Sequence, residues 1–599
     1  MASSTSQGVV DRVQNWVSEN KRVVIVGAVV ATVAIGGAAY YASTSRSGDG
    51  DKGERKKDKK KAAKASSKKK KAVGESDGPI LEEISPKVVD EVDEDLALTA
   101  EQVASMSSEE RSKVAASLKS KGNTAYGTKR QYQKAVDFYT KAIEVSPKPE
   151  PTYFSNRAAC YMNMQPPQYE KVIEDCDAAL ALDKKYVKAL NRRATALEAL
   201  QRYEEASRDF TAVTILEKFA NEASSAAVER VLRKLATQKA QAILATREPR
   251  IPGHAFTTAY FGAFRDRPLP TLPENPSTGD NTLILALQAL KAQNYTHALT
   301  LVNEAIDQGI SWDAGKAEAL NLRGTFKFLL SNSTGAKDDL EASVALVPSL
   351  TQSWVKLASV FMELNEPTRT FDSFESAIKH NKDDPDIFYH RGQVLFIMGE
   401  FQRAADDYSK STELDGDFVF SHIQLAVAQY KMGDIAKSMA TFRRTMKQFP
   451  SRSEPQNYYG ELLLDQQRFT EAIEKFERAI ELENAKPPPA NVLPLVNKGL
   501  ALFQFKQDIT AAEQCCQEAL RIDSESDAAV ATLAQLSLQQ GKIDVAIEML
   551  DRQAELARTE PELATALTYK YASANQIEFL KNYPEMASQL GPLARAFSA

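Results

Sequence analysis

Three series of small residues recur at a step of 34 through the middle of this 599-residue chain. Gly324, Ala358, Gly392, Ala426 and Gly460 form the first. Ala336, Thr370, Ala404, Ser438 and Ala472 form the second, and Ser343, Ala377, Ser411, Thr445 and Ala479 the third. Bulky residues keep the same step at Leu340, Phe374, Tyr408, Phe442 and Phe476. Small side chains at fixed places let two antiparallel helices approach closely, and the bulky residue fills the gap towards the next pair. Five units in register without an insertion constrain the chain to a stack of equivalent units, each burying its apolar face against its neighbours.

A 34-residue period with this small/large pattern resembles the tetratricopeptide repeat family, whose unit is a helix–turn–helix. Related spacings continue with small insertions near 115–147 (Gly122, Ala135, Tyr139), 150–183 (Ala158, Cys176) and 186–217 (Arg193, Ala206, Phe210). They recur near 282–309, 492–523 and 526–556. The expected fold is all-α, a superhelix of about eleven repeats in two subdomains. Residues 561–599 have helical character and are expected to cap its open end. Segment 247–280 holds Pro249, Pro252, Pro268, Pro270, Pro273 and Pro276, which exclude a long helix. It reads as a proline-rich junction between a three-repeat unit (113–246) and a longer repeat domain (281–599). The helical piece 220–246 is expected to cover the end of the first.

Net charge is −5, but unevenly placed. Residues 1–71 hold sixteen Lys and Arg against six Asp and Glu, so the remainder carries −15. A short polar tail (1–22) ends in Lys21-Arg22, and residues 23–42 contain no charge. At about 1.5 Å per residue that stretch reaches roughly 30 Å, the thickness of a hydrocarbon core. A cleaved signal has a shorter apolar region, about 7–15 residues, so the expectation is a retained N-terminal transmembrane helix with Tyr40-Tyr41 at its interface. The lysine run after it predicts that this side faces the cytosol. Residues 43–112 read as a charged linker. No aromatics interleave with the lysines, which argues against nucleic-acid binding.

Catalytic patterns are missing. No two of the five histidines share a metal-ligand spacing. Gly315-Lys316 has Ile310 where a phosphate loop needs glycine, and Ala317 where it needs Ser or Thr. The four cysteines form no CxxC pair, a pattern that suits a reducing compartment. The expectation is a binding protein, not an enzyme, with no metal and no cofactor.

Lys119 and Asn123 are four apart near the start of the first repeat, as are Lys188 and Arg192 in the third. That spacing puts each pair on one helix face. Asn156 holds the equivalent place between them. Any one of these alone reads as a solvated surface group. Together, Lys119-Ser-Lys-Gly-Asn123, Ser-Asn156-Arg-Ala and Lys188-Ala-Leu-Asn-Arg192 resemble the carboxylate-clamp members of the tetratricopeptide family at all five places. That resemblance implies capture of a chaperone's C-terminal Glu-Glu-Val-Asp by charge-assisted hydrogen bonds.

The whole arrangement of anchor, basic linker, clamp, proline-rich segment and further repeats resembles the 70-kDa import receptors of the mitochondrial outer membrane. The resemblance implies docking of 70-kDa and 90-kDa heat-shock chaperones and receipt of hydrophobic preproteins such as metabolite carriers. It also implies association with other subunits of the outer-membrane translocase. A chaperone-docking adaptor in another membrane, such as the endoplasmic reticulum, is the competing reading. For the client, a row on the first helices offers itself: Phe328, Met362, Phe396, Tyr430, Leu464 and Phe503. The alternative is that these side chains pack between helices.

Overall fold

The computed structural model describes residues 96–128 and 130–586. The expected anchor (23–42) and most of the linker lie outside the described residues, as does the chain beyond 586. Every regular element among the described residues is helical, and no described helix is long and apolar enough to cross a membrane. The contacts divide the chain into two units, with the division between Asn221 and Glu222.

In the first unit, α1 (Ala100–Ser105) precedes three hairpins. These are α2 (Ser108–Gly127) with α3 (Tyr132–Val145), α4 (Pro151–Asn163) with α5 (Tyr169–Leu182), and α6 (Val187–Ala199) with α7 (Tyr203–Leu216). The second unit begins with α8 (Glu222–Thr246) and α9 (His254–Gly262). Eight hairpins follow. The first four are α10 (Thr278–Lys291) with α11 (Tyr295–Gln308), α12 (Asp313–Leu329) with α13 (Ser333–Leu346), α14 (Thr351–Glu363) with α15 (Pro367–His380), and α16 (Pro385–Ile397) with α17 (Phe401–Leu414). The rest are α18 (Val419–Lys431) with α19 (Ile435–Gln448), α20 (Glu454–Asp465) with α21 (Phe469–Asn484), α22 (Leu493–Lys506) with α23 (Ile509–Ile522), and α24 (Asp527–Gln539) with α25 (Ile543–Leu556). α26 (Glu560–Asn582) ends the stack. Within each unit, successive first helices touch one another, as α14 touches α16. First helices therefore form the inner layer of the curve.

The 34-residue series has a direct physical meaning. A Cβ on Gly460 would stand 2.6 Å from the Phe476 ring, and one on Gly392 would stand 2.9 Å from the Tyr408 ring. Both rings are fully buried. A second tie recurs beside this contact. Arg193, Arg323 and Arg391, each on a first helix, pair with Asp209, Asp339 and Asp407 on the second helix of the same hairpin. Arg157 pairs likewise with Asp175.

Two expected boundaries move. α8 was expected to cover the first unit, with a domain ending at 246. Instead Ala236 and Ala240 pack with Ala554, Leu563, Ala566 and Leu567 at the far end of the second unit. An open solenoid end exposes apolar residues, and the alanine-rich face of α8 covers them together with α26. Segment 247–280 is likewise not a bare junction. It enters the second unit and stays there. Arg247 donates to the carbonyls of Ala554 and Ala557, at 3.0 and 2.8 Å. The proline-free stretch between Pro252 and Pro268 forms α9 and then lies against the first helices.

Alanine already occupies the Gly460 position in two other repeats of the series, at Ala358 and Ala426. Gly460→Ala is therefore expected to shift stability by less than about 1 kcal/mol, helix propensity offsetting a small ring movement. Gly460→Ile is expected to cost about 3 kcal/mol by overpacking. Urea denaturation of the two variants checks this.

Candidate functional site

The first unit brings the five predicted clamp residues onto its first helices. Lys119 and Asn123 lie on α2, Asn156 on α4, and Lys188 and Arg192 on α6. All five keep solvent access, and Asn123 and Lys188 are exposed. Hydrogen bonds tie the three helices at this level. The Asn123 side-chain oxygen accepts from Tyr139 Oη at 2.8 Å and from Asn156 Nδ2 at 3.2 Å. Arg192 donates to the Ser155 carbonyl at 3.0 Å and also to the Ser155 hydroxyl. Lys119 Nζ donates to Glu150 at 3.0 Å and stands 5.2 Å from the centre of the Tyr153 ring. Lys119, Asn123, Asn156 and Arg192 are thus tied through bonds between first helices, with Lys188 exposed one turn before Arg192 on α6, and such donors suit carboxylates. Cys160 and Cys176 lie beneath this face. Burial pushes both thiols up to about 12, so neither is a nucleophile at neutral pH.

The expected client row divides. Phe328, Met362 and Leu464 are buried, at 3%, 8% and 8% exposure. They belong to the core between helices and cannot meet a client as they stand. Phe396, Tyr430 and Phe503 keep partial exposure. Tyr430 donates its hydroxyl to Asp465, so its ring edge borders a polar rim.

What the sequence reading missed is the segment lying on the inner layer. Tyr260, 1% exposed, packs its ring 6.1 Å from that of Phe328. The Phe264 ring stacks 4.3 Å from His390, and Lys356 Nζ stands 5.1 Å from the Phe264 centroid. Arg265 pairs with Asp386 and Asp415, and its guanidinium lies 4.1 Å from the Phe418 ring. Arg267 reaches Glu318 at 2.8 Å and Gln352 at 3.2 Å. Burial pulls the Lys356 ammonium down to about 7, with Arg267 adding to the effect, while Lys356 donates to Asn321 at 2.8 Å. Aromatic residues at 256, 260, 261 and 264 between prolines were the available signal, since a solvated linker has no use for them. The inner face from α12 to α16 is therefore filled by the chain itself. Further along, Glu461 accepts from Asn457 and Asn497, at 2.7 and 2.8 Å, and burial raises its carboxyl to about 7.

Tetratricopeptide-repeat family signatures match residues 121–149, 423–491 and 506–568. The human mitochondrial import receptor subunit TOM70 is 31% identical over 497 residues, covering 78% of this chain and 80% of the relative. The chain belongs to the TOM70 family. A Saccharomyces cerevisiae member is 28% identical over 524 residues, covering 81% of this chain and 84% of its own. The crystal structure of yeast Tom70 aligns with a TM-score of 0.51 at 29% identity, covering 80% of this chain and 99% of that one. Family membership and the all-helical repeat superhelix agree with the 34-residue pattern.

The internal segment gives a clear test. Arg265→Ala takes the bonded guanidinium from the buried Asp386 carboxylate, and removing one partner of a buried pair costs about 3–5 kcal/mol. Arg250→Ala breaks a pair with Glu525 whose side chains are 55% and 43% exposed, a class worth about 0–1 kcal/mol. Urea denaturation is expected to separate the two variants by that margin, and Arg265→Ala alone is expected to open residues 247–280 to trypsin.

Proposed function

We propose that this chain is a mitochondrial outer-membrane import receptor. Its first unit docks cytosolic 70-kDa and 90-kDa heat-shock chaperones by their C-terminal Glu-Glu-Val-Asp. Its second unit receives hydrophobic preproteins with internal targeting signals, metabolite carriers among them. The apolar stretch 23–42 holds it in the membrane with the bulk of the chain in the cytosol, beside other translocase subunits. The protein acts by binding, without catalysis.

The observation that supports this most is the placement of Lys119, Asn123, Asn156, Lys188 and Arg192 on three successive first helices, with Asn123 bonded to Asn156 and Arg192 to Ser155. A peptide's terminal carboxylate and its Asp side chain need several donors from different directions. Rigid helices supply them at little ordering cost, since the Asn123–Asn156 and Arg192–Ser155 bonds already fix their positions. Lys and Arg provide the charge, and the amides meet the remaining lone pairs. Family membership supports the import role. In the second unit, Phe396, Tyr430 and Phe503 are the residues of the predicted row still able to meet a client.

Arg192→Ala removes a positioned cation from the pocket. It is expected to weaken binding of a Glu-Glu-Val-Asp peptide by about 2–5 kcal/mol, or thirtyfold and more. Fluorescence anisotropy with the full-length chain checks this, and unchanged affinity would sink the docking site. Residues 1–71 fused to a fluorescent protein are expected to stain mitochondria. Reticular staining would favour the endoplasmic-reticulum adaptor instead.

A further inference from the structure

Lys119, the first cation of the clamp, already holds a carboxylate. Glu150 Oε2 lies 3.0 Å from Lys119 Nζ, and the same oxygen accepts from Thr152 Oγ1 at 3.0 Å. Glu150 stands at the N-cap of α4, where an acidic side chain ordinarily turns back to cap the helix. Here it makes no capping bond and reaches α2 instead. The backbone that presents it is stiff. Pro149 and Pro151 flank it, and Glu150 has the extended conformation (φ −94°, ψ 149°) that a residue before proline favours. The Lys119 ammonium beside it and the Thr152 hydroxyl hold the Glu150 carboxyl below its ordinary range. It is thus ionised at neutral pH and competes for Lys119 as an anion.

We propose that Glu150 is an internal competitor of the clamp, an affinity-setting residue that an incoming peptide carboxylate must displace from Lys119. This rests on the docking function proposed above. The Glu150 side chain is 55% exposed and that of Lys119 28%, so the pair is weak enough to be exchanged. The tether Pro149-Glu150-Pro151 returns the carboxylate to Lys119 whenever the peptide leaves. A ligand gains from Lys119 only the difference between its own carboxylate and Glu150. Docking is therefore weaker than five unoccupied donors would make it, and a peptide offering a single carboxylate is disfavoured against one offering several.

The test is anisotropy of a labelled peptide ending in Glu-Glu-Val-Asp, with full-length wild type, Glu150→Gln and Glu144→Gln. Glu144 pairs with Lys141 at 3.2 Å, so its substitution makes the same charge change elsewhere in the unit. Glu150→Gln is expected to bind about two- to fivefold tighter at low salt, the span of an exposed pair, with the gain shrinking as salt screens it. Glu144→Gln is expected to stay near wild type. Equal tightening in both variants would mean that only net charge matters and would overturn the proposal, as would unchanged or weaker binding by Glu150→Gln. Failure of the docking function itself looks different: the wild type would not bind, or Arg192→Ala would bind as well as the wild type does.

Discussion

The whole architecture depends on how closely the two helices of each hairpin can approach. Where Gly460 faces Phe476 and Gly392 faces Tyr408, there is no room for even a methyl group without movement of the ring. That contact sets the spacing and angle of one hairpin, and the next inherits them because its own large residue must fill the remaining gap. Repetition then fixes curvature, with first helices inside. Protein interiors at this density transmit displacement instead of absorbing it. Interhelical position is therefore held closely enough for side chains on three different helices to act together.

That precision is what makes a polar site possible on the inner layer. Asn123 and Asn156 lie in different hairpins, yet their side chains are within hydrogen-bonding distance. The positions that hold the hairpins together are the small residues, the aromatic rings and the Arg–Asp ties. None of these is an inner-face position with free solvent access. The inner face can therefore change its chemistry without changing the fold.

Legibility from sequence follows the same division. Positions that repeat were readable, because a period of 34 over five units has few explanations. The placement of Lys119, Asn123, Asn156, Lys188 and Arg192 on first helices was readable because three consecutive hairpins each contribute at the same place. Two features escaped. Ser331, Asn365, Gly399, Gly433 and Gln467 occupy one turn position in successive repeats, and all have positive φ. Only two of them are glycine, so the residue types hid a backbone requirement that the geometry makes plain. The placement of 247–267 was hidden for a different reason. Its partners Asp386, Asp415 and Ala554 are more than a hundred residues away in sequence, and no periodicity links a segment that occurs once to a surface that recurs. Prolines announced an interruption and could not say that it would be buried. The same blindness misassigned α8, whose apolar stripe fits either end of a solenoid, and placed Phe328 on an open wall that the chain's own Tyr260 covers.

The inner faces of the two units, each taken by itself, carry different charged groups. The first presents Lys119, Lys188 and Arg192. The second carries Asp386 on α16 and Glu461 on α20, and Arg265 from its own chain pairs with Asp386 and with Asp415 just after α17. An isolated buried carboxylate would be costly, and Arg265 spares Asp386 that cost. Glu461 meets its need differently, with two amide donors and a carboxyl raised to about 7. At neutral pH its ionisation then responds to whatever lies against it. A cation would favour the charged form and an apolar side chain the neutral one. The stretch from α12 to α16 is, by contrast, committed to the chain's own aromatic and basic side chains, Tyr260, Phe264, Arg265 and Arg267.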